Sequence, residues 1–183
     1  MSGVAAWRQH LTLRAWAGLV VLGTVLVDQV VKVLVASRFE LGDRIPVIEG
    51  LFDLTYVLNP GGVWGLGRDL GMLPRAVIFL ALPIAITALA VYYAWSLPAR
   101  DRLRHAAIAL VIGGAIGNLI DRLRLDPPAV IDFLLFHFRE RYWPAFNIAD
   151  SAICVGVAVL VVSSFFEDDA RDPEPRGSNA PPA

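Results

Sequence analysis

Asn118, Asp121, Arg122, Asp132, Asn147 and Asp150 stand in or beside stretches otherwise suited to a lipid interior. A charge at the bilayer centre costs about 2.5 kcal/mol or more, so such residues point to function by default. Two carboxylates at one water–lipid boundary resist joint ionisation and tend to hold a single proton between them. The ionised member can then draw a proton from water while its protonated partner hydrogen-bonds a carbonyl oxygen. That chemistry needs no metal, cofactor or side-chain nucleophile. Ser151, Ser163 and Ser164 have no histidine plausibly beside them, which argues against a Ser/His site. His10, His105 and His137 are scattered, and Cys154 is the single cysteine. Neither a zinc site nor an internal disulfide is expected.

Each polar residue also has a purely structural explanation. Asn147 fits a helix N-cap and Asp150 the third helical position, where an acid bonds back to the cap; this is compatible with catalysis. Asp28 and Lys32 are spaced i, i+4 and fit a stabilising pair better than a catalytic one. Asp121 and Arg122 can end a span at the headgroups, the arginine snorkelling. Asp132 resists such a reading. It sits between Ile131 and Phe133 with no adjacent cation, and a buried unpaired carboxylate has its pKa raised.

The elements that must position these residues follow from hydropathy. Apolar residues make up 56% of the chain and charged residues 18%, with a mean hydropathy of +0.59. Stretches 15–37, 74–96, 105–121 and 148–166 approach the ~20 residues that cross a bilayer. They predict an all-α integral membrane protein with four transmembrane helices and a small β-rich segment over 38–73. Asp28 and Lys32 interrupt the first stretch, so it reads as a retained helix and not a cleaved leader. Residues 1–14 form an N-terminal segment and 15–166 the four-helix body. The tail 167–183, acidic and then rich in Pro, Gly and Ser, is expected to be disordered.

The net charge of −1 is uninformative, but Arg8, Arg14, Arg100, Arg102 and Arg104 flank the short connections. The positive-inside rule then places both termini in the cytoplasm. The end of span three, the Asp132 segment and the start of span four thereby share the outer face. Asp28 and Lys32, toward the outer half of span one, lie at a similar depth. Gly113 and Gly117 have the spacing that lets helices approach closely. Between spans one and two, Phe52, Leu54, Tyr56 and Leu58 alternate with Asp53, Thr55, Val57 and Asn59, a period-two strand signal. The glycine-rich "NPGGVWGLG" turn with Trp64 follows. "DPP" at 126–128 ends the third helix.

The pieces "VDQVVK" (27–32), "LNPGGVWGL" (58–66), "GGAIGNLIDRL" (113–123), "VIDF" (130–133) and "FNIADSAICVG" (146–156) together resemble the lipoprotein signal peptidase (signal peptidase II) family. They occur in the family's order from span one to span four. The resemblance implies a monomeric four-helix aspartic endopeptidase of the bacterial inner membrane, with its site on the outer face and no cofactor. Its substrate is the diacylglyceryl-modified prolipoprotein, cut before the lipidated cysteine. By motif, Asp132 and Asp150 are the catalytic aspartates, and Asn118, Arg122, Asn147 and Asn59 the substrate-binding residues. Asp28, Lys32, Asp121 and Trp64 are supporting ones, with Trp64 at the tip of a segment that clamps the substrate. Two stretches depart from the family's pattern: the loop "LDPPAVID" is longer, and Asn59 is followed by Pro60-Gly61-Gly62-Val63-Trp64.

Two other classes compete with the hydrolase. A proton-coupled transporter also carries membrane carboxylates, but places them near the midplane and usually shows repeats; no repeat is visible here. A membrane scaffold uses polar residues to join helices. Its Asp132 and Asp150 would matter for stability and not for activity. Partners are the lipidated precursor and membrane lipids; nothing suggests nucleic acid.

Overall fold

Glycine decides how closely the helices approach one another. The computed structural model describes residues 3–62, 67, 69–98 and 100–168, and of residues 3–13, 72, 167 and 168 the backbone. Helix α1 (Gly3–Arg38) leads into strands β1 (Arg44–Ile48) and β2 (Phe52–Asn59). Helix α2 (Met72–Ala76) passes through a π-helical turn (Val77–Ala81) into α3 (Leu82–Ser96). Then come α4 (Arg102–Arg124), β3 (Val130–Phe138), β4 (Arg141–Tyr142) and α5 (Ile148–Asp168). Trp64 lies outside the described residues, as do 169–183 of the expected disordered tail; Glu167 and Asp168 close α5.

Four helical segments are long and apolar enough to cross a membrane: Arg14–Arg38, Leu73–Ser96, Arg102–Arg124 and Ile148–Phe166. Three of them turn most of their surface outward: Leu19, Leu22 and Leu26 on α1, Leu89 and Trp95 on α3, and Val155, Val162 and Phe165 on α5 are all exposed. A belt of that size needs an apolar surround. Helix α4 is the inner one, packed mainly on α5 and α1 and less on α3.

The seam works because α4 carries Gly113, Gly114 and Gly117. A β-carbon on Gly113 would lie 2.8 Å from Thr24 Cβ, and one on Gly117 2.7 Å from Asp28 Oδ2. On Gly114 it would strike the backbone oxygen of Ala149. That neighbour is main chain and cannot swing aside. Gly114→Ala is therefore expected to destabilise the protein by about 1–3 kcal/mol through overpacking, read as a lower melting temperature in detergent. Gly18→Ala is the control: nothing lies within 4 Å of its added methyl, and alanine is the better helix former by about 0.5–1 kcal/mol.

The sheet is antiparallel in the order β1-β2-β3-β4. It is broader than the 38–73 reading implied, because "VIDFLLFHF" joins it as β3. Val57 pairs with Asp132, Leu58 with Ile131 and Asn59 with Val130. A continuous apolar run has no alternation to separate strand from helix, so this strand was not readable locally. Strand β2 also inverts the simple expectation for a half-buried strand. Asp53 and Thr55 are buried while Phe52, Leu54 and Tyr56 are only partly so. The buried polar groups have local partners: Asp53 pairs with Arg44 and with His137 Nε2 (3.2 Å), and Thr55 Oγ1 donates to the Asp43 carbonyl at 2.7 Å.

Candidate active site

Three amide side chains hold two carboxylates. Helix α5 begins with a reciprocal cap: the Asp150 N–H donates to Asn147 Oδ1 at 2.9 Å, and the Asn147 N–H donates to Asp150 Oδ2 at 3.3 Å. This satisfies helix-end donors that have no partner in their own helix. With Oδ1 committed to an N–H, the Asn147 amide is fixed one way round and Nδ2 faces the other direction. There it donates to Asp132 Oδ1 at 2.7 Å. Asp132 Oδ2 accepts from Asn59 Nδ2 at 3.0 Å, a contact set by the β2–β3 pairing. Asn118, on α4, donates from Nδ2 to Asp150 Oδ1 at 2.7 Å. Asp132 and Asp150 thus meet on either side of Asn147.

Behind them lies a buried charge cluster. Lys32 Nζ is 2.9 Å from Asp28 Oδ2, 2.8 Å from Asp121 Oδ2 and 3.0 Å from Asn118 Oδ1. All three charged side chains are 0% exposed, so each depends on the others for its solvation. Lysine is donor-only, which orients the Asn118 amide and sends its Nδ2 to Asp150. Asp121 Oδ2 also accepts from the Ile131 N–H at 3.1 Å, and this pins the strand residue beside Asp132. Asp28 Oδ1 accepts from the Ala149 N–H at 2.9 Å at the start of α5. The i, i+4 pair expected of Asp28 and Lys32 forms, and it reaches both α4 and α5.

Arg122 has a different setting. Its Nη2 donates to the Gly61 carbonyl at 3.3 Å, and its guanidinium lies 5.6 Å from the Phe79 ring centroid. Sequence reasoning missed Gln29, which donates from Nε2 to Gly117 O (3.0 Å) and Asp121 Oδ1 (3.1 Å). Its signal was present: a polar residue inside an apolar helix, between Asp28 and Lys32.

Among the described residues, no Lys, Arg or His lies within ion-pair distance of Asp132 or Asp150. Their partners are amides, which orient a carboxylate without cancelling its charge. Burial, and next the charge of Asp150, push the Asp132 pKa up to about 7 against the hydrogen bonds from Asn59 and Asn147. A proton is the means left for lowering the charge of the pair. The arrangement suits water activation by one carboxylate and proton donation by the other. No group of three or more His, Cys, Asp or Glu that could hold a metal occurs among the described residues.

The family model for signal peptidase (SPase) II matches residues 20–166. A lipoprotein signal peptidase of Geobacter sulfurreducens is 44% identical over 156 residues, covering 84% of this chain and 94% of that protein. One from Syntrophus aciditrophicus is 42% identical over 146 residues, covering 80% and 87%. A bacterial membrane enzyme solved by the in meso method superposes with a TM-score of 0.73 at 27% identity, covering 89% of this chain and 95% of that one.

Proposed function

The chain belongs to the signal peptidase II family, a family of membrane peptidases that process lipoprotein precursors, and on that footing we propose that Asp132 and Asp150 make it an aspartic endopeptidase. The substrate is a diacylglyceryl-modified prolipoprotein, and the bond cut is the one before the lipidated cysteine. The observation that carries the reading is the pair itself: two carboxylates joined through Asn147, with no cation in ion-pair contact with either among the described residues.

One carboxylate, ionised, takes a proton from water as the water oxygen attacks the scissile carbonyl. The other, protonated, donates to the carbonyl oxygen. The tetrahedral species collapses, the C–N bond breaks, and the cysteine amine leaves with a proton from the pair. The pair titrates as a unit, so neither aspartate is assigned the starting proton. Asn59, Asn118 and Asn147 hold the carboxylates in register, since catalysis of this kind depends on positioning. Arg122, held by the Gly61 carbonyl, faces the substrate backbone. The precursor's lipid chains stay in the bilayer, and the 38–73 segment closes over the signal helix. Both termini lie in the cytoplasm and the site opens on the outer face of the inner membrane. A single copy suffices.

The reading is tested by the pH dependence of cleavage. Burial and the charge of Asp150 push Asp132 up to about 7, a shift that belongs to the coupled pair, so above that pH the pair loses the proton that it needs. Cleavage of a lipidated precursor, followed by gel shift, is expected to fall as pH rises through about 7, approaching a tenfold loss per unit. A rate that is level or rising between pH 7 and 9 rules out a singly protonated pair. An unlipidated precursor of the same sequence serves as the specificity control and is expected to remain uncut.

A further inference from the structure

Beside Arg122, a cavity of about 290 Å³ opens between the loop after β2, the start of the second span and the Asp126 loop. Its walls include Ala76, Phe79 and Leu80, the last two in the π-helical turn, a feature frequent at functional sites. The guanidiniums of Arg75 and Arg122 also line it, with exposed Asp126 at the rim. Arg75 sits just inside the start of the span Leu73–Ser96, and Arg122 just inside the end of Arg102–Arg124. The short connection after Ser96 joins the opposite ends of these helices. Both arginines therefore stand at one and the same membrane boundary. Each is held by a backbone carbonyl: Arg75 Nη2 donates to Leu70 O at 3.2 Å, and Arg122 Nη2 to Gly61 O at 3.3 Å.

We propose that this cavity binds the phosphodiester headgroup of a bilayer glycerophospholipid, with Arg75 and Arg122 on the phosphate oxygens and an acyl chain along Phe79 and Leu80. The cavity sets two cations, Arg75 and Arg122, beside an apolar wall. Guanidinium presents a planar fork of donors that matches phosphate geometry. The apolar wall and the position at a span edge select a lipid over a free anion, as for basic pockets between membrane helices. Asp126 accepts from the headgroup's own donor, a hydroxyl or an ammonium. Arg122 is shared with the cleavage reading, where it faces the substrate backbone. The diacylglyceryl group of the precursor has no phosphate, however, Arg75 and Ala76 belong to this cavity alone, and bound lipid is counted without any cleavage step.

The test uses the full chain in detergent, with bound lipid counted by native mass spectrometry. Wild type is expected to hold one phosphatidylglycerol. Diacylglycerol with the same chains binds at least about tenfold more weakly, the difference that a single charge-assisted hydrogen bond makes. Inorganic phosphate at equal concentration does not displace the lipid. Arg75→Gln removes one phosphate contact, and Ala76→Phe fills the cavity while keeping both arginines. Each is expected to weaken phosphatidylglycerol binding at least about tenfold. Equal affinity for diacylglycerol, displacement by inorganic phosphate, or wild-type affinity in either folded variant overturns the proposal. The wild-type comparison of the two lipids decides the matter even if a variant fails to fold.

Discussion

Asp132→Asn and Asp150→Asn are each expected to lower cleavage of a lipidated precursor by about 100- to 10,000-fold, the share that a positioned acid or base contributes. Asparagine has the shape of aspartate but cannot exchange the proton. The melting temperature is the second measurement, and for Asp132→Asn it separates a catalytic role from a structural one. With Asp132 pushed up to about 7, the folded pair holds its proton to about that pH, whereas an ordinary aspartate releases it near 3.8. Folded protein thus binds the extra proton between those values, and wild type loses stability as pH rises across that window. The neutral amide removes this loss, so above pH 7 the variant is expected to melt no lower than wild type. A scaffold in which Asp132 serves only to join elements gives the reverse, with lower melting and cleavage retained per folded molecule.

Lys32→Met is expected to have the largest effect on stability, a loss of about 3–5 kcal/mol, as for breaking a buried ion pair from one side. Lys32 lies between Asp28 and Asp121, and none of the three is exposed to water. Without its ammonium, two carboxylates remain buried where α1, α4 and α5 meet. Thermal melting in detergent measures the loss. Adding Asp28→Asn and Asp121→Asn to Lys32→Met removes the uncompensated charge and is expected to restore most of it. Asparagine at 28 still accepts from the Ala149 N–H, and at 121 it still accepts from the Ile131 N–H. Failure of the triple variant to recover shows that packing of the lysine chain, and not charge balance, sets the loss. Cleavage drops in both, because the Asn118 amide loses one of the two donors, Lys32 and Asn147, that turn its Nδ2 toward Asp150.

The reciprocal cap at Asn147 and Asp150 was readable because its geometry is local: an N-cap and the third helical residue are always close. The Asp28–Lys32 pair was readable for the same reason, through the rise of the helix. Gly113 and Gly117 announced a close approach, but not that Gly114, which no spacing rule singled out, is pressed harder against main chain than either of them. Strand β3 escaped because its apolar run has no period. The partnership of Asn59 with Asp132 escaped with it, since that contact exists only once β2 and β3 are in register.

Sequence alone determined the spans, the cap at Asn147, the strand over Phe52–Asn59, and the identities of the polar residues. These depend on hydropathy and on neighbours within a few positions, interactions that a short segment carries with it. Tertiary structure decided which polar groups meet. Lys32 reaches Asp121 and Asn147 reaches Asp132 only after α4 has closed on α1 and α5 through its glycines. Contacts between distant segments depend on packing and register, and no local pattern encodes either.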